Sequence, residues 1–223
     1  DEKSKECMVA YLESRINDKA DYMFPCYDKN TTYYKNDVFE LGIQETLLDC
    51  GACVGDAIWS FIDEVKGTYR SVLAIEPDMD NYAFLMKETQ RRNLKNIIVK
   101  RLCAYNQNTY VHFGGDIQSG RIDNMNTAYE MLEAATIDSM CKELNMAEEI
   151  SIIKINFLSA IPEILQGAKG LLQEWKPRVV IQAAYDEREL LKIYLAIKNI
   201  NPSYRLYLRY TLGLPQGLTL MAI

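Results

Sequence analysis

The sequence has a single histidine, His112, in 223 residues. One imidazole cannot build a multi-histidine metal centre, and a lone histidine is more often structural than catalytic. Cysteine does not fill the gap. Cys7, Cys26, Cys50, Cys53, Cys103 and Cys141 match no compact disulfide framework. Cys50-x-x-Cys53 lacks the second pair and the nearby histidines that a metal or redox site needs. The simpler reading is two small side chains packed beside a tight turn, so no metal is expected. No apolar run approaches the ~18 residues of a membrane span, and no secretory leader is visible at the start. With the reduced thiols, this gives a cytoplasmic expectation. Positive charge is not in excess: 25 Lys and Arg against 31 Asp and Glu leave a net charge of −6. That balance argues against non-specific nucleic-acid binding, which works by neutralising phosphates. The basic patch from Lys87 to Arg92 reads as the end of a helix. Internal repeats and low-complexity segments are lacking.

What is present is ordinary globular composition, 48% hydrophobic and 25% charged. A chain this long buries roughly 70% of its unfolded surface, so it needs no disulfide or metal staple. Met8, Tyr11, Leu12 and Ile16 recur at helical spacing, and the helical run over residues 1–24 is expected to end at Pro25. Residues 25–45 are tyrosine-rich and irregular. Tyr27, Tyr33 and Tyr34 suit either an aromatic lid or core packing. From Glu45 onward, short apolar runs (46–49, 71–75, 96–99, 150–155 and 178–182) alternate with helical patterns (56–66, 79–93, 160–174 and 187–199). Near-continuous apolar strands fit a parallel sheet covered on both faces, so the expected fold is α/β, a Rossmann-like doubly wound sheet. Residues 204–210 and 218–223 follow without a helix between them, giving a C-terminal antiparallel hairpin. A second hairpin is expected around Thr109 to Gly115. The expected division is an N-terminal helical and irregular extension, 1–40, and a cofactor-binding domain, 41–223.

The segment Asp49-Cys-Gly-Ala-Cys-Val-Gly-Asp56 follows a strand and opens a helix, the context in which a glycine turn carries meaning. A dinucleotide fingerprint would need glycines at 51, 53 and 56; the chain has Gly51, Cys53 and Asp56. Gly51-x-x-x-Gly55 is a different pattern. A pyrophosphate wants bare backbone at a helix N-terminus. S-adenosylmethionine (SAM) instead presents a carboxylate, an ammonium and a sulfonium. Backbone N–H groups near Gly51 suit the carboxylate, and Asp49 or Asp56 suits the ammonium, directly or through water. Glu76, 21 residues after Gly55, ends the next strand, placed to accept ribose hydroxyls. Pro77 and Asp78 are also good first-turn helix residues. Cys103 and Ala104 follow the third strand and suit either the adenine site or plain core.

Asp-Cys-Gly-Ala-x-x-Gly-Asp at 49–56 and Glu76-Pro77-Asp78 resemble the first two motifs of the FkbM family of SAM-dependent methyltransferases. Ile152-Ile-Lys-Ile-Asn156, Leu165-Gln-Gly-Ala-Lys-Gly170, Lys176-Pro177, Tyr207-Leu-Arg-Tyr210 and the closing 218–223 resemble later parts of the same family. The tyrosines at 33–34 resemble an upstream aromatic pair. The match runs in order over about 35–223. It implies the class I SAM-methyltransferase fold, SAM as cofactor, and O-methylation of a sugar or related small hydroxyl compound. The expected partner is therefore a small-molecule or glycan acceptor.

One stretch departs from the pattern. The family usually reads Ile-Lys-Ile-Asp-Val-Glu-Gly-Ala-Glu where this chain has Ile153-Lys154-Ile155-Asn156-Phe157-Leu158-Ser159-Ala160-Ile161. An alcohol acceptor gains roughly 10² to 10⁴ in rate from a general base. Asn156 keeps hydrogen bonding but takes no proton at neutral pH. It is the catalytic candidate, as an orienting group. His112, Asp116 and Asp186 are the other base candidates, each with a plainer reading as a structural or loop residue. Two further readings stand: a catalytically degenerate SAM-binding protein with a regulatory or structural role, and an NAD-type oxidoreductase, which the glycine spacing disfavours.

Overall fold

The computed structural model describes residues 1–114, 121–123, 125, 129–157, 160–183, 187–211 and 217–223. Its strands are β1 (Glu45–Cys50), β2 (Tyr69–Ile75), β3 (Ile97–Lys100), β4 (Cys103–Ala104), β5 (Thr109–Gly114), β6 (Arg121–Ile122), β7 (Glu130–Ala135), β8 (Ile152–Ile155), β9 (Arg178–Gln182), β10 (Leu206–Tyr210) and β11 (Leu218–Ala222). Its helices are α1 (Glu2–Ile16), α2 (Asp56–Glu64), α3 (Met79–Arg91), α4 (Ile137–Glu143), α5 (Ile161–Gly167), α6 (Lys169–Glu174) and α7 (Glu187–Ile200).

Seven strands form the main sheet in the order β10-β11-β9-β8-β1-β2-β3. The pairs among β9, β8, β1, β2 and β3 are parallel, and β11 is antiparallel to both its neighbours. The expected doubly wound sheet with its closing hairpin is therefore present. Alternation along the strands fills two cores. Leu47, Val72, Ile152 and Val180 pack on one face with α2 and Tyr34. Leu48, Leu73, Ile153 and Ile181 pack on the other with α4, α5 and α7. Burial on both faces explains why these strands read as apolar runs rather than as alternating ones.

Three details differ from the sequence reading. The first helix ends at Ile16, not Pro25. Asn17 caps it, Asp18 turns left-handed at φ 50°, and Pro25 sits inside a separate 3-10 turn, Ala20–Cys26. The expected helix over 160–174 is two helices meeting at Ala168. The expected hairpin around 109–115 extends further: β5 pairs antiparallel with the next strand, β6, and its other edge joins β7 in a second, four-stranded sheet, β4-β7-β5-β6.

α1 and the 3-10 turn after it pack along the β10 edge of the main sheet, while Tyr33, Tyr34 and Phe39 join the core on the α2 face. Arg209 is buried and binds Asp37 (Nε to Oδ1, 2.6 Å) and Asp1 (Nη2 to Oδ2, 2.7 Å). The isolated bridge between Tyr27 and Tyr210 continues the contact.

Candidate functional site

The strand order runs in opposite directions on either side of β1 and β8. Ligands of open α/β sheets bind in the crevice at the carboxyl ends of the strands at such a switch point. The two segments that leave these ends are the turn after Cys50 and the residues after Ile155.

Gly51 is where the two segments touch. Its φ is +77°, and a Cβ there would stand 2.2 Å from the Asn156 carbonyl oxygen. Any side chain would push β1 and β8 apart, so the glycine is required on both conformational and steric grounds. The Asn156 N–H donates to the Cys50 carbonyl at 2.9 Å, which extends the parallel pairing to that point. Gly55 caps α2 at φ +90°, with Trp59 and Leu85 filling the space a Cβ would need.

The amides of the turn are largely committed within the chain. The Gly51 and Ala52 N–H groups donate to the Ile75 carbonyl at 3.0 and 3.1 Å. The Cys53 N–H donates to Glu76 Oε2 at 2.6 Å. The expectation that N–H groups near Gly51 would receive a ligand carboxylate is thus corrected for Gly51 and Ala52. The first turn of α2 is opened by exposed Asp56.

Glu76 sits at the end of β2 and is 4% exposed. Its second oxygen, Oε1, accepts from the Asp78 N–H at 2.9 Å. Each oxygen thus holds one backbone amide and keeps a further acceptor site. Burial pushes its pKa up, and the two amides pull the other way. Pro77 is buried, and Asp78 caps α3 by accepting from the Asn81 N–H at 2.9 Å. The Asp78 carboxylate therefore serves the helix start.

Asp49 and Lys154 face one another across the β1–β8 register. Both are buried, and the ammonium lies 2.8 Å from Asp49 Oδ1. That contact is a buried ion pair, and among the described residues Asp49 has no hydrogen-bond partner besides Lys154. Burial raises the Asp49 pKa, and Lys154 opposes the rise. Lys154 also donates to the Gly51 carbonyl at 2.8 Å, so one ammonium fixes both the carboxylate under the turn and the turn itself. The sequence reading missed this role. Its signal was a lysine inside an apolar strand, which a buried position permits only with a partner.

The remaining candidates divide. Cys103 and Ala104 are buried in β4, and burial pushes the Cys103 thiol up to about 12. Phe157 stacks on Phe113 of β5 with centroids 6.0 Å apart, which seats the small sheet against the exit of β8. His112 points to the opposite face of β5 from Phe113 by strand alternation. Ile161 is 1% exposed in the core, so the apolar residue there serves packing. Tyr34 is buried against Phe61, the Tyr33 hydroxyl donates to Gln182 Oε1 at 3.0 Å, and Tyr27 packs edge-on against Tyr210. Tyr34 and Tyr27 therefore read as packing rather than as a lid. Asp116, Leu158, Ser159 and Asp186 lie outside the described residues. Among the described residues, no cluster of His, Cys, Asp or Glu could hold a metal ion, and no helix is long and apolar enough to cross a membrane.

The whole chain superposes on an FkbM methyltransferase from Methylobacillus flagellatus KT with a TM-score of 0.83 at 22% identity. It has the class I SAM-methyltransferase fold. The chain spans 55% of the length of that structure. A precorrin-6y C5,15-methyltransferase from Geobacter metallireducens aligns over 82% of this chain and 81% of its own, with a TM-score of 0.52 and 11% identity. Fibrillarin from Aeropyrum pernix, solved with natively bound SAM, aligns over 83% of this chain and 70% of its own, with a TM-score of 0.51 and 11% identity. No protein-family model and no curated protein matches the sequence. The motif resemblance to the FkbM family and the structural likeness to an FkbM methyltransferase thus point to the same fold.

Proposed function

We propose that the protein is a SAM-dependent methyltransferase whose cofactor lies across the turn at Gly51 to Gly55. The observation that carries this reading is Glu76, a buried carboxylate at the end of β2 tied to that turn through the Cys53 amide at 2.6 Å. Its remaining acceptor sites suit a pair of ribose hydroxyls. Asp56 at the exposed start of α2 suits the ammonium, and the first α2 amides suit the carboxylate. Enclosed Asp49 acts from beneath, through Lys154 and the Gly51 carbonyl. Cys103 and Ala104 close the adenine side as apolar wall, with Pro77 and Asp78 setting the start of α3. SAM supplies an electrophilic methyl group, and the protein's task is positioning and exclusion of water.

The acceptor is proposed to be a sugar or another small hydroxyl compound. Asn156, whose backbone abuts Gly51 at the switch point, is assigned the orienting role. Its amide can donate to and accept from an acceptor hydroxyl but cannot remove a proton at neutral pH. The test is transfer of a labelled methyl group from SAM to a panel of glycans and small alcohols, with wild type and Asn156→Ala side by side. Transfer that drops in the variant supports the assignment, and undiminished transfer removes Asn156 from the mechanism.

A second reading, a catalytically degenerate SAM-binding protein, is favoured by Ile161, a core residue where the family carries an acid. Tight SAM binding with no transfer to any acceptor would support it.

A further inference from the structure

Two helices at the β10 edge of the sheet leave apolar faces in solvent. On α1, Val9, Leu12 and Ile16 follow one another at three and four residues and are 54%, 45% and 81% exposed. On α7, Leu191, Tyr194 and Leu195 repeat the pattern at 58%, 44% and 47%. Both helices border one open groove of about 770 Å³, with Met8, Leu190 and Leu206 among the residues that line it. Isolated surface leucines need no explanation, but a contiguous patch does. Six side chains of this size at these exposures present on the order of 600 Å² of surface, near the upper end for a monomer's largest patch and most of the ~800 Å² that each partner buries in a standard interface.

We propose that this face joins two copies of the chain in a two-fold dimer, with α1 of each copy crossing α7 of the other. A two-fold axis matches one surface patch to itself, so a face made of two apolar stripes meets its complement twice. Homodimer interfaces are the apolar class of interface, which is the chemistry seen here. The stripe edges also match in charge: helical spacing places Glu13 beside the α1 stripe and Lys192, which lies 3.7 Å from Glu189 of its own helix, beside the α7 stripe. The crossing brings each Glu13 towards the other copy's Lys192. The face lies four strands from β1 in the sheet order, so the dimer leaves the turn at Gly51 open.

Sedimentation velocity over a concentration series tests this. The expected species is twice the 25.7 kDa chain mass. Leu12→Glu with Leu191→Glu should raise the dimer dissociation constant by about a hundredfold or more, because it buries charges without partners. Circular dichroism and the melting profile of the variant check that the fold is intact. Glu13→Lys should weaken the dimer, and adding Lys192→Glu should restore it, which reports α1 facing α7 across the axis. A monomer at every concentration overturns the proposal. So does a dimer that survives in the folded double variant, since another face would then hold it. Monomeric protein that binds lipid vesicles through this patch would also overturn it and assign the face to a membrane surface.

Discussion

At the scale of single residues, the site rests on two buried acids with different duties. Glu76 is the proposed contact residue, and Glu76→Ala is expected to weaken SAM binding by about 1–3 kcal/mol, the usual cost of a charged hydrogen bond left unmade. Isothermal titration checks this, and unchanged affinity would remove Glu76 from the site. Asp49 and Lys154 form the support. Lys154→Met leaves a buried carboxylate without its counter-charge and should cost about 3–5 kcal/mol in denaturant unfolding. Combining it with Asp49→Asn should recover much of that loss, as for any coupled pair. The acids also set a pH dependence. Glu76 titrates above its ordinary value of 4.5 in the folded chain because burial disfavours its charge. The folded state therefore holds this proton more tightly than the unfolded chain does, and stability from this group falls as pH rises above about 4.5. Glu76→Gln should flatten that part of a stability profile measured against pH.

At the scale of elements, the turn after β1 and the clamp on β10 decide geometry. Gly51→Ala meets both a left-handed φ and the Asn156 carbonyl oxygen. The expected outcome is a lowered melting temperature together with lost SAM binding. A variant that melts normally would mean that β1 and β8 can separate at no cost. The clamp has the opposite pH sign to Glu76. The Arg209 guanidinium, with Lys3 adding to it, holds the Asp37 carboxyl well below the usual range, and burial opposes it. Its stabilisation is present above that range and fades as pH falls through it. Asp37→Asn should lose stability at neutral pH and show a flatter acid limb in melts taken across pH.

The elements also show what a sequence can and cannot reveal. β1, β2, β8 and β9 were legible because burial on both faces gives each a short apolar run, Leu47-Leu48, Val72 to Ile75, Ile152-Ile153 and Val179 to Ile181. β7 was not. Glu130-Met-Leu-Glu-Ala-Ala135 consists of good helix formers and becomes a strand only by pairing with β5 and β4. α4 has seven residues, too short for a periodic pattern to emerge. In the site, Gly51, Gly55 and Glu76 were legible because they sit on one strand–turn–helix unit and the next strand end. The work of Lys154 was hidden because it depends on register with a strand about a hundred residues earlier.

At the scale of the whole molecule, sheet order, switch point and glycine turn combine into one claim about the cofactor. The turn alone would admit any nucleotide-like ligand. Under the proposed function, its spacing, the acid at the end of β2 and the antiparallel β11 favour SAM over a dinucleotide. Calorimetric titration of the purified protein with SAM, S-adenosylhomocysteine and NAD tests that selection most directly. The account predicts saturable binding of the first two and no binding of NAD. Binding of NAD with no heat from SAM would contradict it.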